Sequence, residues 1–358
     1  MRRSIVLALL AAAGLSGGPA LAAPASGPAP AAAPSPAKPV DAAERKAVVE
    51  ALAAKLNDFF VFPDVAARYA AMLRANLAAG TYDGLADPDA FAAEVTADLQ
   101  AVAKDGHLKL ATEAYWNDKF GAPGPKGEAA KPLGLEETRM IGKVAYLRFS
   151  LFPDDHETAA RARAFLLAHA DAQAVIIDSR PNHGGGLEIM NAVLPLLYAK
   201  PTTLVRMDTR ASAADAGPPE DGLTPQPSPP GLARADHVIM PDARETRLRD
   251  VPVYYLTSAK TASAAEHLAL AFRHTHRATQ IGETTRGAGH YGGVLPIGSR
   301  FAAFIPMGRT YDPDTGWDWE GKGVAPDVAV PADQALDEAL RRAKAAGADV
   351  SEVQAEAK

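Results

Sequence analysis

The chain has 358 residues, a net charge of −6 and no cysteine. Without cysteines there are no disulfides and no thiolate metal ligands, and without a basic tract we expect no nucleic-acid partner. The length is sufficient for one large domain or two small ones.

The amino terminus is typical of a secretory signal peptide. A basic start, MRR, precedes the apolar run SIVLALLAAAGL, and ALA at 20–22 supplies small residues for cleavage. The apolar run is too short to span a bilayer, and no later segment reaches the roughly 18 apolar residues that a membrane helix needs. We therefore predict a signal peptide over residues 1–22 and a mature chain without a membrane span, secreted into the bacterial periplasm.

The next segments predict a linker followed by a helical bundle. Residues 23–40 are rich in Ala, Pro and Ser and are predicted to be a disordered linker. From residue 41 to 104 the apolar residues recur with a helical period, and Asp87-Pro88 provides a cap followed by a first-turn proline. We predict a bundle of three helices over residues 41–104.

After residue 104 the pattern changes to short apolar runs separated by helical stretches. The runs are KVAYLRF (143–149), AVIID (174–178) and VPVYYLTS (251–258). Runs of this length are typical of buried strands, and their alternation with helices predicts an α/β core over residues 105–332.

Two further segments are predicted outside this pattern. Residues 211–232 are rich in Pro and Gly and predict a long surface loop within the core. Residues 333–358 are charged and rich in alanine, which predicts a C-terminal helix and tail.

The tetrapeptide SAAE, residues 263–266, follows a predicted strand and opens an amphipathic helix. Structurally, Ser263 is an N-cap and Glu266 completes a capping box. Chemically, Ser263 is a candidate nucleophile, because free N–H groups at a helix start stabilise an oxyanion. On these residues alone the capping role is the commoner one.

Three other signals could complete a catalytic site. The loop DSRPNHGGG (178–186) is either a flexible connection or a source of oxyanion-binding N–H groups. His107 in DGHLKL is either structural or a general base for a serine. Glu320 in DWEGKGVAPDVAV (318–330) is either a solvated turn residue or the acid that orients a histidine.

Other histidines compete with His107 for the role of base. His267 lies four residues after Ser263 on the predicted helix and ranks second, because its side chain would have to point back towards the cap. His290 in GAGHYGG ranks third. His274 and His276 have no acidic partner at a metal-site spacing and are predicted to be surface residues. No GxSxG elbow surrounds Ser263.

In this order, the four signals resemble those of the C-terminal-processing, or tail-specific, serine peptidases. The chain is most similar to the branch with tricorn protease and the interphotoreceptor retinoid-binding protein. The resemblance extends over residues 41–332. Its matching segments are VYYLTSAKTASAAEHLALAF, RATQIGETTRGAG, EGKGVAPDVAV, VIIDSRPNHGGG and DGHLKL.

This resemblance implies a crotonase- or ClpP-like α/β spiral core with an N-terminal helical bundle. It also implies that Ser263 is the nucleophile, His107 the general base and Glu320 the acid that orients His107. The N–H groups of Ala264 and of Gly184 or Gly185 would form the oxyanion hole. We expect neither a metal nor a cofactor.

The chain departs from the family pattern in three places. Ala288 stands where many relatives carry a catalytic lysine, so a Ser–Lys dyad is not available. Too few residues separate the bundle from the glycine loop for the substrate-tethering PDZ domain of many relatives. Gly106 precedes His107 where some relatives carry a serine.

We therefore predict a secreted serine peptidase that acts on peptides or unfolded protein segments through an acyl-enzyme on Ser263. The alternative is a catalytically inactive binding protein for apolar ligands or peptides on the same fold. A third and weaker interpretation is an esterase that uses the same site.

Overall fold

Three helices begin the described part of the chain. This computed structural model describes residues 38–120, 134–214 and 221–351, so the predicted signal peptide and most of the predicted linker lie outside it. The helices are α1 (Ala42–Phe59), α2 (Pro63–Ala78) and α3 (Pro88–Val102). Asp87 caps α3 by accepting the Ala90 N–H, and Pro88 takes the first position, as its sequence predicts.

Strands and further helices follow in alternation. In chain order the strands are β1 (Lys109–Thr112), β2 (Leu135–Ile141), β3 (Val144–Phe149), β4 (Ala174–Asp178), β5 (Thr202–Arg210), β6 (Leu223–Gln226), β7 (Leu232–Ile239), β8 (Val253–Thr257), β9 (Thr279–Gly282), β10 (His290–Ile297), β11 (Phe301–Tyr311) and β12 (Val328–Ala329). The helices are α4 (Glu113–Phe120), α5 (His156–Ala168), α6 (Glu188–Val193), α7 (Ala264–Thr275) and α8 (Ala335–Ala345). Short 3₁₀ turns lie at Leu194–Leu196 and Ala332–Gln334.

The first sheet is mostly parallel and is covered on both faces. Its strand order is β12–β9–β8–β4–β3–β2, and only β2 pairs in the antiparallel sense. Helices α5, α6 and α7 pack on one face, and α8 packs on the other. All residues of β4 and β8 are buried, which is why these strands appear in the sequence as continuous apolar runs.

The second sheet is antiparallel. Its order is β1–β11–β5–β7–β6, and β10 pairs with the other side of β11. Apolar residues of α1, α2 and α3 pack against β10 and β11 in one core. Strand β6 lies within the segment predicted to be a loop, and that part of the prediction is wrong. Pro225 is tolerated there because β6 is an edge strand.

Two neighbouring parallel strands place the candidate site. β4 and β8 are adjacent and parallel, so the chain leaves the sheet at the same edge after each of them. After β4 the glycine loop leads to α6, and after β8 a short turn leads through Ser263 to α7. Ligands bind at this edge in open α/β sheets. Among the described helices, none is long and apolar enough to cross a membrane.

Candidate active site

The turn between β8 and α7 holds Ser263 in an unusual backbone conformation. Its φ and ψ angles are 55° and −120°, and among the described non-glycine residues only His276 also has a positive φ. Such a conformation costs about 1–3 kcal/mol and is concentrated at functional sites, where the surrounding structure maintains it. The backbone therefore favours a functional Ser263 over a serine that only caps the helix.

The glycine loop after β4 lies against Ser263. A Cβ on Gly184 would be 2.6 Å from the Ser263 Cβ, and the φ of Gly184 is +108°, so this position requires glycine. Gly184 donates its N–H to Asn182 Oδ1 at 2.8 Å and is therefore not available to a substrate. Within the described chain, the N–H groups of Gly185 and Ala264 make no hydrogen bond. These two remain as donors for an oxyanion.

A cavity of about 370 Å³ opens at Ser263. Gly185 and Ala264 line it together with Ser263, so a carbonyl bound there could meet the serine and both free N–H groups. Ala288 also lines this cavity. The position where many relatives carry a lysine therefore adjoins the Ser263 site, and in this chain it offers no base.

The carboxylate of Glu266 connects the Ser263 turn to the loop after β9. This carboxylate is buried and accepts four hydrogen bonds: from the N–H of Ser263 at 2.9 Å, the hydroxyl of Thr285 at 2.6 Å, and the N–H groups of Gly287 at 2.6 Å and Ala288 at 2.8 Å. The first bond is the Glu half of the predicted capping box. The other three hold the loop that lines the cavity.

Because four donors share this buried acceptor, we expect Glu266→Ala to lower the free energy of unfolding by at least about 3 kcal/mol. Chemical denaturation followed by circular dichroism measures the change. Asp155→Ala is a matched control, because Asp155 is an exposed N-cap that accepts two N–H groups at the start of α5. Its expected loss is about 1 kcal/mol. Equal losses in the two variants would contradict the role of Glu266.

His107 lies in the loop between α3 and β1, beside the wall of the cavity. A Cβ on the preceding Gly106 would be 3.4 Å from the Cα of Ala288. The His107 ring stacks on Phe304 of β11 with 5.1 Å between centroids. Its Nδ1 is buried and has no hydrogen-bond partner in the described chain. Within the described residues no hydrogen bond joins His107 to Ser263 or Glu320.

Glu320 lies next to the His107 loop. Its carboxylate accepts the N–H groups of Gly106 at 2.6 Å, Gly289 at 2.6 Å and His290 at 3.0 Å. Burial raises the pKa of Glu320, and the nearby charge of Asp105 raises it further. The predicted acid, Glu320, thus contacts Gly106, the residue before the predicted base His107. Its carboxylate binds backbone N–H groups rather than the His107 imidazole.

His290 belongs to the same buried cluster. Its Nδ1 lies 2.7 Å from Asp105 Oδ2 and 3.8 Å from Glu320 Oε2. Burial by itself would lower the pKa of His290, but the hydrogen bond and charge of Asp105 outweigh it and raise the pKa above its usual value. Ligand atoms of these three residues lie within 4.8 Å of one another. Each already takes part in a hydrogen bond, so contacts within the protein account for the cluster.

Three other imidazoles are held neutral by burial, which predicts a pH-dependent stability. Burial lowers the pKa of His107 and of His237 to about 4, and that of His267 well below its usual 6.5. Below pH 6.5 the unfolded chain therefore binds protons that the folded chain does not, and the free energy of unfolding falls. Each imidazole contributes about 1.4 kcal/mol per pH unit down to its folded pKa. The raised pKa of His290 does not offset this loss below pH 6.5, because the stability that it adds is already fully present there and declines only as the pH rises above 6.5.

We accordingly expect the urea midpoint of the full chain to be lower at pH 5 than at pH 7. Proton NMR of the histidine rings should show that His107, His237 and His267 are still neutral at pH 5. Protonation of all three with the usual pKa of a free histidine, together with equal urea midpoints, would contradict this expectation.

A strained serine at a helix start, free N–H groups beside it and a cavity in front of it are typical of serine hydrolases. The profile described as "Peptidase family S41" matches residues 143–330, and that described as "N-terminal domain of Peptidase_S41 in eukaryotic IRBP" matches residues 42–134. The chain belongs to peptidase family S41. The predicted relationship to the tail-specific peptidases and the retinoid-binding branch is confirmed.

Two solved structures with TM-scores above 0.5 share this fold at low sequence identity. A candidate peptidase from Parabacteroides merdae has a TM-score of 0.56 at 16% identity, and a lipoprotein from Streptococcus agalactiae has 0.53 at 13%. Each match covers 84% of this chain and 96% of the other. The photosystem II D1 C-terminal processing protease has 23% identity and a TM-score of 0.41, and the match covers 58% of this chain and 48% of that one. The predicted α/β core with an N-terminal helical bundle is confirmed.

Proposed function

We propose that the chain is a serine peptidase that cleaves peptides or unfolded protein segments through an acyl-enzyme on Ser263. The observation that carries this proposal is the strained Ser263 beside the free N–H groups of Gly185 and Ala264 in one cavity. Membership of peptidase family S41 supports hydrolysis of peptide bonds as the reaction.

In the proposed mechanism the Ser263 hydroxyl attacks the scissile carbonyl, and His107 takes its proton. The N–H groups of Gly185 and Ala264 stabilise the oxyanion. His107 then gives the proton to the leaving amine, and a water molecule hydrolyses the acyl-enzyme in the same way. Glu320 holds the imidazole in the required tautomer and stabilises its charged form.

This mechanism requires His107 to change its contacts when substrate binds. Within the described residues its Nδ1 is unpaired, whereas the nearby Glu320 carboxylate is bound to backbone N–H groups. A turn of the ring that directs Nδ1–H towards Glu320 would give Nδ1 a partner and direct Nε2 towards the serine. Catalytic hydrogen bonds often form only in the substrate complex.

We further propose that the protein acts in the bacterial periplasm, because the start of the chain has the basic, apolar and small-residue regions of a signal peptide. The sequence between the bundle and the glycine loop leaves no room for a PDZ domain. Flexible peptide segments are therefore the proposed substrates, since no domain inserted between the bundle and the glycine loop holds a free carboxyl terminus.

A second function is favoured by one observation. His107 forms no hydrogen bond with Ser263 or Glu320 within the described residues, as would be the case in an inactive protein that only binds peptides or apolar ligands in the cavity. The two functions differ in the reactivity of the serine.

A fluorescent phosphonate separates them, because it reacts with activated serines. The purified chain should become labelled and should cleave members of a peptide library. A chain that binds these peptides but takes up no label and cleaves none would be the binding protein.

A further inference from the structure

Two buried histidines form a hydrogen-bonded chain behind the Ser263 cavity. His267 Nε2 and His237 Nδ1 are 2.8 Å apart, and His237 Nε2 lies 2.9 Å from Asn191 Oδ1. His237 is completely buried and His267 is 3% exposed. The proposed mechanism uses neither histidine, although His267 lines the cavity with Ser263.

The contacts of Asn191 determine which nitrogens carry protons. Asn191 Nδ2 donates to the carbonyl of Asp221 at 2.7 Å, so Oδ1 is the atom that faces His237. His237 Nε2 must therefore donate, and in a neutral ring Nδ1 is then an acceptor. His267 Nε2 must in turn donate to it. In the neutral state that burial favours, His267 Nδ1 is left with an unshared electron pair.

His267 lies close to the reacting serine. Its backbone N–H donates to the carbonyl of Ser263 at 2.9 Å, and both residues line the same cavity. No hydrogen bond to Nδ1 of His267 occurs within the described chain. The lining combines apolar side chains, among them Met207 and Leu223, with polar ones, among them Asp154 and Thr209.

A second polar group of this cavity is also unpaired. Trp319 lines the cavity, and its Nε1–H is buried without a partner in the described chain. A buried donor without a partner is costly, which suggests that a bound group satisfies it. Among the lining groups, His267 Nδ1 is thus an acceptor and Trp319 Nε1–H a donor without a partner in the described chain.

We propose that His267 is a specificity-determining residue that selects substrates with a hydroxyl-bearing, largely apolar side chain, tyrosine above all, next to the scissile bond. The phenol donates its O–H to His267 Nδ1, and its oxygen is an acceptor for Trp319 Nε1–H. The ring occupies the apolar part of the cavity. This inference rests on the proposed function, because it places that side chain beside a carbonyl attacked by Ser263.

Matched peptides that differ in one side chain test the inference on the protein itself. Tyrosine, phenylalanine and O-methyltyrosine are placed on the acyl side of the scissile bond, and kcat/KM is measured for the full-length chain. We expect tyrosine to exceed phenylalanine by about five- to hundredfold, as for two buried neutral hydrogen bonds. O-methyltyrosine should behave like phenylalanine or worse, because it lacks the donor. Equal rates for tyrosine and phenylalanine would overturn the inference.

Variants then test whether His267 is responsible for the preference for tyrosine. His267→Leu should remove the preference for tyrosine while the phenylalanine peptide is still cleaved, and Trp319→Phe should reduce the preference. His274→Leu is the matched control on the same helix, since His274 contacts Asp312 outside this cavity, and it should keep the preference. An unchanged preference in a folded His267→Leu would overturn the assignment. If that variant does not fold, Trp319→Phe and the peptide series on the unmodified chain decide.

A binding measurement separates failure of this inference from failure of the proposed function. Calorimetry with the Ser263→Ala chain compares the affinity of the same tyrosine and phenylalanine peptides without any turnover. Tighter binding of tyrosine, together with no cleavage by the unmodified chain, would disprove the peptidase and support the site. Cleavage without discrimination, and equal binding, would disprove the site and leave the peptidase intact.

Discussion

Replacing Ser263 by alanine should abolish phosphonate labelling and lower the kcat for peptide cleavage by about 10⁴- to 10⁶-fold, as removal of a serine nucleophile does. The loss should appear in kcat rather than in KM, because the glycine loop, the cavity and the helix start do not depend on the hydroxyl. The Ser263 backbone N–H is held by Glu266, and this contact is kept in the alanine variant.

Ser258→Ala is the matched control for this result. Ser258 lies five residues earlier in the same turn, and its hydroxyl donates to the carbonyl of Arg180 at 2.6 Å. Removing it should weaken the turn slightly but leave labelling and turnover within a few-fold of the original. Label that persists in Ser263→Ala would reject Ser263 as the nucleophile, and loss of label in both variants would indicate a damaged turn rather than lost chemistry.

Elements with local signals were predictable from the sequence. The Asp87-Pro88 cap gives the start of α3, and the apolar run Val253–Thr257 gives β8. Both signals come from neighbours in the chain, namely a side chain that accepts a nearby N–H and a strand that is buried on both faces. The helix start at Ser263 was predictable for the same reason.

The antiparallel sheet was not predictable in this way. Its longest strand, β11, combines small, aromatic and proline residues in FAAFIPMGRTY, without the regular alternation that indicates a half-buried strand. Its pairing with β1 and β5 joins segments nearly 200 and 100 residues away in the chain. Short edge strand β6 carries a proline and therefore gives a loop signal.

For the candidate site, the sequence predicted individual motifs but not the contacts between them. SAAE indicates that Glu266 caps a helix, but the bonds from Thr285, Gly287 and Ala288 depend on the fold. His237 has no signal at all, because its contact with His267 joins β7 to α7. Likewise, nothing local indicates that Asp105 binds His290. Long-range contacts of this kind determine protonation states, which residue spacing alone does not.

His107→Ala should reduce kcat for peptide cleavage by about 10³- to 10⁶-fold, the range found when a triad member is lost. The other two candidates are less suited to the role of base. The raised pKa of His290 and its bond to Asp105 favour its charged form, which cannot accept a proton. Burial lowers the pKa of both His267 and His107, but the Nε2 of His267 contacts the neutral His237, whereas the Glu320 carboxylate lies next to the His107 loop. Activity that survives in His107→Ala would move the base to His267 or His290.

Adding imidazole to the His107→Ala chain distinguishes a missing base from a damaged fold. His107 stacks on Phe304 and its ring is largely buried, so its removal leaves a space next to the cavity wall. Free imidazole that enters this space should restore part of the turnover in proportion to its neutral fraction, since only the neutral form accepts the serine proton.

The pKa of about 4 that burial gives His107 is low for a base, and an ionised Glu320 next to Nδ1 would raise it in the substrate complex. If Glu320 also orients the added imidazole, rescue should be weaker in a His107→Ala, Glu320→Gln double variant than in His107→Ala. Equal rescue in both would limit Glu320 to holding the Gly106 and Gly289 backbone.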